Sequence, residues 1–250
     1  MSSAIGNPYD DLLADVYDLM YPDALSGTAE AVEFVAGLCP PTGSVLEFGV
    51  GNGRLAVPLS ARGLEVFGID SSSRMLGDLA ERDPDGKVKA VEGDFLTAST
   101  GRRHEVVLMA LNTFFSLPQQ EQQIDCLRRM REHLAPGGRV VLEAFDPSPY
   151  HRQEGERTTT RFLGPGTVML ESSHVVPSQQ LIILVFALLA DGPTRTAHTA
   201  LRYAWPAEID AMARCAGLRL VERHAGWERE PYGPGSQRHV SVYEAADAAR

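Results

Sequence analysis

Residues 45–70, VLEFGVGNGRLAVPLSARGLEVFGID, constrain this chain more than any other stretch. Val45, Leu46 and Phe48 form an apolar run that reads as a buried strand. Gly49, Gly51 and Gly53 follow at once, and Leu55, Ala56, Leu59 and Ala61 then recur at helical spacing. A second run, Val66, Phe67 and Ile69, ends in Asp70, 21 residues after Gly49. Glycine lets a backbone turn sharply and approach a ligand closely, because it has no Cβ. The next helix aims its positive, amide-rich end over that turn. An acid closing the second strand is placed to accept hydrogen bonds from ribose hydroxyls.

The glycine pattern narrows the ligand. Dinucleotide sites carry G-x-G-x-x-G, whose last glycine packs helix on strand beside a pyrophosphate. Here Arg54 holds that position, and Glu47 precedes the turn by two residues. A carboxylate there repels a pyrophosphate and suits a cation, such as an ammonium or a sulfonium. A dehydrogenase is disfavoured on both counts.

Apolar residues make up 44% of the 250 and charged residues 22%, as in ordinary globular chains. A net charge of −10 lacks the basic stripe that a nucleic-acid surface needs. The start MSSAIGNPYDDL has neither the basic nor the apolar region of a signal peptide. The longest apolar run, residues 181–190, is too short to span a bilayer. Cys39, Cys126 and Cys215 lie far apart with no C-x-x-C, which predicts reduced thiols in the cytoplasm.

Periodicity predicts helices over 9–20 and 28–38, then strands near 44–48, 64–70, 87–92, 104–111 and 138–145. Helices near 53–62, 73–82 and 119–134 connect them, and the A-P-G-G of 135–138 reads as a turn. Strands alternating with helices imply an α/β fold around a parallel sheet. The pattern then changes. Strands are predicted at 168–176, 181–189 and 194–203, with Pro177, Ser178 and Gln179 as a hairpin turn, forming an antiparallel insertion. A helix over 206–216 and strands at 218–223 and 239–244 finish the chain.

Glu47, Gly49, Gly51 and Gly53 together resemble the first motif of class I S-adenosylmethionine-dependent methyltransferases. The resemblance implies a Rossmann-like seven-stranded sheet with helices on both faces and an antiparallel β insertion. It divides the chain into an N-terminal helical lid (1–40), a cofactor-binding core (41–145), the insertion or acceptor region (146–204) and a C-terminal part completing the sheet (205–250). The implied cofactor is S-adenosylmethionine, leaving as S-adenosylhomocysteine. Its expected contacts are Glu47, the three glycines, Asp70, Ser71, Met75 over the adenine, Asp94 at the exocyclic amine, Phe95, and Ala110 after strand four. Tyr17 on the first helix and Tyr21 just after it are expected near its amino-acid end, and Tyr9 begins that helix.

The acceptor is expected among Asn112, Phe114, Phe115, Trp205, Trp227 and Tyr232, where aromatic rings can meet a methylammonium group. The general base is not identified; Asp146 and His239 are the candidates, while Glu143, His151 and His198 also lie within reach of the strand ends or the insertion. The segments VEGDF (91–95), NTFF (112–115), HLAPGG (133–138), AEIDAMARCAGL (207–218) and EPY (230–232) look like the cypemycin-type peptide N-terminal methyltransferases. Amino-sugar N,N-dimethyltransferases are similar in layout, but their histidine after strand four is replaced here by Ser116. DNA amino-methyltransferases carry an N-P-P-Y-like motif after that strand, which is absent.

The expected activity is methyl transfer to a small molecule or short peptide, most simply at an amine nitrogen, in natural-product biosynthesis. O-methylation and a non-catalytic cofactor-binding regulator are the alternatives. No clustered metal ligands are seen, so no metal is expected, and neither nucleic acid nor membrane is an expected partner. The insertion leaves a homodimer open.

Overall fold

The computed structural model describes residues 12–22 and 26–246. Tyr9 and the start of the first predicted helix lie outside the described residues. Two helices come first, α1 (Leu12–Met20) and α2 (Thr28–Ala36). Then follow β1 (Ser44–Phe48), α3 (Ala56–Ala61), β2 (Glu65–Asp70), α4 (Ser73–Arg82), β3 (Val88–Glu92), β4 (His104–Met109), α5 (Gln120–Glu132) and β5 (Leu134–Phe145). A short α6 (Ser148–His151) leads into β6 (Glu156–Gly164), β7 (Thr167–Val176), β8 (Leu181–Leu189) and β9 (Arg195–Arg202). The chain closes with α7 (Pro206–Cys215), β10 (Leu218–His224) and β11 (Arg238–Ala245).

Seven strands form one sheet in the order β10-β11-β5-β4-β1-β2-β3. β1 to β5 run parallel, and β11 lies antiparallel between β5 and β10. The central strands are buried on both faces, which is why they read as nearly continuous apolar runs. Alternate residues divide between two cores. Leu46, Phe48, Val107 and Leu142 pack toward α1, α5, α7 and the insertion, whereas Val45, Val106, Leu108 and Val141 pack toward α2 and α3. The strand order reverses beside β1, with β2 on one side and β4 on the other. In an open α/β sheet the crevice beyond that reversal is where a ligand fits.

Four elements differ from the sequence-based expectation. The insertion has four strands, in the order β6-β7-β8-β9. The extra strand, β6, is an edge strand with few buried side chains, so no apolar alternation marks it. The A-P-G-G segment lies inside β5. There the register to β4 shifts, Gly137 has φ +77°, and a Cβ on Gly138 would lie 3.0 Å from three carbonyl oxygens. The segment is therefore a bulge within the strand rather than a turn leading into it. α3 starts three residues late because Gly53 has φ +78°. β4 stops at Met109, and Leu111 and Asn112 both take positive φ.

Glu143 fixes that last turn. Its carboxylate accepts hydrogen bonds from the Leu111 backbone N–H (2.9 Å) and from Trp227 Nε1 (3.1 Å), and Arg238 lies 3.6 Å away. Both Glu143 and Trp227 are buried, so Glu143 is a structural anchor here. Trp227→Phe keeps most of the ring but removes the donor from a buried carboxylate. It should cost about 1–3 kcal/mol of stability, read as a lower urea midpoint with the m-value unchanged.

Candidate active site

At the carboxyl end of β1 the chain turns through Gly49, Gly51 and Gly53, with φ of +74°, +54° and +78°. Side chains are excluded as well as strained. A Cβ on Gly49 would lie 2.7 Å from Thr113 Cγ2, and one on Gly51 would lie 3.1 Å from Met75 Cε. Asp70, ending the neighbouring strand, accepts from the Gly51 N–H (2.8 Å) and from the Ser72 N–H (2.9 Å). Ser72 Oγ in turn accepts from the Met75 N–H at 3.2 Å and caps α4, while Ser71 beside it is exposed. The turn, the acid and the start of α4 are thereby locked to one another.

Glu47 sits beneath this turn, 4% exposed. Burial pushes its carboxyl up to about 8; the Arg54 guanidinium opposes the shift and the Asp70 charge adds to it. Its Oε2 has no hydrogen-bond partner among the described residues. Arg54, which had served only to exclude a dinucleotide, is itself buried; it donates to Thr28 Oγ1 (2.8 Å) and bonds the Tyr17 hydroxyl. Burial raises Tyr17 to about 12, with Arg54 opposing, and Tyr17 and Tyr21 lie with ring centroids 5.1 Å apart. Asn52 donates to Asp18 (2.9 Å), tying α1 to the turn, and its Oδ1 has no partner among the described residues. Sequence reasoning missed Asn52 and Asp18, although Asn52 stands between two of the glycines.

The other expected residues are distributed as follows. Asp94 is exposed and its Oδ1 accepts from the Leu96 N–H at 2.8 Å, the geometry of a turn acid. Phe95 stacks on Phe48 at 5.6 Å, and Ala110 is buried. Asn112, in the left-handed region, accepts from the Phe145 N–H at 2.7 Å and so joins the ends of β4 and β5. Phe114 and Phe115 are fully buried; Phe115 reaches the crevice only through its edge contact with Phe145 (4.8 Å). Trp205 precedes α7 and packs on His151, which bonds the Tyr203 hydroxyl. Trp227 departs from expectation: it is buried against Phe34 in the core facing α2, held there by Glu143.

Tyr232 is half-buried beside His239, under the Arg223 guanidinium. Asp146 accepts from the Ser148 N–H at 2.9 Å, and its own N–H bonds the Gln237 carbonyl. His239 is fully buried, Nδ1 to Ser241 Oγ at 2.8 Å, and burial lowers it to about 4, so its ring is neutral near pH 7. Leu111, Asn112, Glu143, Phe145, Gln237 and Arg238 border a cavity of about 470 Å³ at these strand ends. Among the described residues no group of three His, Cys, Asp or Glu is arranged to hold a metal, and no helix is long and apolar enough to cross a membrane.

A nucleoside cofactor with a cationic amino-acid end fits these residues. The glycine turn is closed to side chains, and the buried carboxylate beneath it lacks a full set of partners. The fold and this arrangement match a class I S-adenosylmethionine-dependent methyltransferase. A methyltransferase-domain family model matches residues 45–138. The chain is 34% identical over 239 residues to the cypemycin N-terminal methyltransferase of a Streptomyces species, covering 94% of this chain and 97% of that protein. It is 29% identical to the dTDP-3-amino-3,6-dideoxy-alpha-D-glucopyranose N,N-dimethyltransferase of Streptomyces fradiae over 78% of each chain. The CcbJ methyltransferase of Streptomyces caelestis superposes with a TM-score of 0.89 and 42% identity, over 96% of this chain and 98% of that one. The chain belongs to the S-adenosylmethionine-dependent methyltransferase family.

Two tests follow. Asp70→Ala should weaken cofactor binding by about 1–3 kcal/mol, and Gly51→Val should abolish it, both by calorimetry. Glu47 should make binding depend on pH. An unfolded glutamate ionises near its ordinary 4.5, the folded one near 8, so the folded, ligand-free protein holds the extra proton between those values and loses stability as pH rises through them. A cation favours the ionised form, so affinity for S-adenosylmethionine should rise with pH, by up to about tenfold per unit, and level off above 8. Glu47→Gln should flatten that profile.

Proposed function

We propose that this enzyme methylates an amine nitrogen of a small molecule or short peptide in natural-product biosynthesis. The observation that carries this reading is the extent of the likeness. It runs through the insertion as well as the core, and it reaches one relative named for an N-terminus and another for an amino sugar.

Under this reading S-adenosylmethionine, when bound, supplies an activated methyl group on sulfur. Glu47, Gly49, Gly51, Gly53, Asp70, Ser71 and Met75 would hold it, with Tyr17 and Tyr21 closing over its amino-acid end and Asp94, Phe95 and Ala110 bordering the base. In-line displacement needs alignment and exclusion of water more than acid–base assistance. The described residues suit that division. His239 is enclosed, and Asp146 is engaged by its own loop, so neither is assigned as a base. Asn112, Phe115, Trp205 and Tyr232 remain the proposed acceptor-side residues, acting by shape; Phe114 and Trp227 would support them from the core.

The free thiols, with Cys126 fully buried, support a cytoplasmic location. A homodimer would form through the outer face of the insertion, where Phe162, Ile183 and Val185 are exposed.

The test is turnover. The enzyme is incubated with S-adenosylmethionine and matched panels of peptide α-amines, amino sugars, alcohols and phenols, and products are read by mass. We expect one or more added methyl groups on an amine. Methylation confined to hydroxyl acceptors overturns the nitrogen assignment, and no transfer to any panel member counts against the reading as a whole.

A further inference from the structure

One face of the insertion sheet packs on the core through Met169, Ile182, Leu184, Phe186 and Leu188. Glu171 stands on that same face. It alternates with buried Met169 and Ser173 along β7, and it pairs in register with Thr159 on β6 and Phe186 on β8. A carboxylate on an apolar face costs free energy unless it is bonded. Among the described residues nothing donates a hydrogen bond to Glu171, and no ion pair reaches it. The cation whose charge acts on it is Arg161, which directs its guanidinium to the Met20 carbonyl (3.2 Å) and the Tyr21 hydroxyl. Desolvation accordingly raises the Glu171 carboxyl above the ordinary glutamate range, with Arg161 opposing.

The surroundings are aromatic. Tyr21 and Tyr150 both lie close enough to feel the Glu171 charge. Tyr150 packs on Phe145 (5.2 Å) at the end of β5, and Tyr21 packs on Tyr17, which reaches Arg54 beside the glycine turn. All of these rings are half-buried, as Glu171 is. Ring contacts thus run from Tyr17 to Tyr21 and from Tyr150 to Phe145, whose side chain borders the cavity at the strand ends.

We propose that Glu171 is an acceptor-binding residue, receiving the ammonium of a cationic acceptor within the crevice walled by Tyr21, Phe145 and Tyr150. The carboxylate supplies charge and the rings supply cation–π attraction. This rests on the amine reading above and adds to it the group that selects for positive charge.

The test uses the full chain loaded with S-adenosylhomocysteine and labelled with carbon-13 at glutamate carboxyls. The Glu171 resonance is identified by its absence from Glu171→Gln, or from Glu171→Asp should the first variant fail to fold. Benzylammonium chloride is the probe and benzyl alcohol its neutral counterpart. We expect benzylammonium to move the Glu171 resonance to saturation, benzyl alcohol to leave it in place, and the variant to bind benzylammonium at least tenfold more weakly. Equal affinity in wild type and variant, or no saturable movement of the resonance, overturns the proposal. These readouts need no turnover, so they stand apart from the acceptor panels. If wild type methylates amines and the variant shows an unchanged KM for them, Glu171 is excluded while the nitrogen assignment survives.

Discussion

Burying the Glu47 carboxyl at the end of a central parallel strand costs free energy, and no hydrogen bond among the described residues offsets it at Oε2. Its immediate surroundings combine opposing charges with a turn that excludes side chains. The three glycines above it keep their left-handed turn and carry no side chains. Arg54 supplies a fixed positive charge that keeps Glu47 within reach of ionisation, and Asp70 supplies a negative one that works against it. Burial favours the protonated carboxyl, and a neighbouring positive charge favours the ionised one.

That arrangement explains why α1 matters. The helix contributes little to the central sheet, yet Asp18 ties it to Asn52, Asp15 pairs with Arg74 on α4 and with Arg195 on β9, and Arg82 pairs with Asp18. Each exposed pair is worth little alone. Together they place Tyr17 and Tyr21 between the glycine turn and the insertion. One short helix and the residue after it thus join the glycine turn to the insertion.

The far side of the site depends on Glu143 in a different way. Its carboxylate is buried but used, bonding the Leu111 backbone and Trp227. Asn112 adds a second tie, to the Phe145 backbone. These two side chains hold the positive-φ turn after β4 that carries Phe114 and Phe115. Two acids of similar burial therefore do opposite things. One is completed by the protein, and the other is left short of partners beside a turn built for a ligand.

The α/β core, the glycine turn, the acid ending β2 and the family were legible in the residues alone, because each rests on local spacing: apolar runs of strand length, helical periodicity, and residues that alone tolerate the backbone required. Long-range packing was needed to show that Trp227 is core and Glu143 its partner, that Arg54 and Asn52 adjoin the glycine turn, that β6 exists, and that Glu171 stands on the core-facing side of the insertion sheet. Those facts come from strand register and from contacts between residues far apart in the chain. A one-residue shift in β7 would turn Glu171 to solvent, and nothing in the local pattern of T-V-M-L-E-S-S records which face it takes.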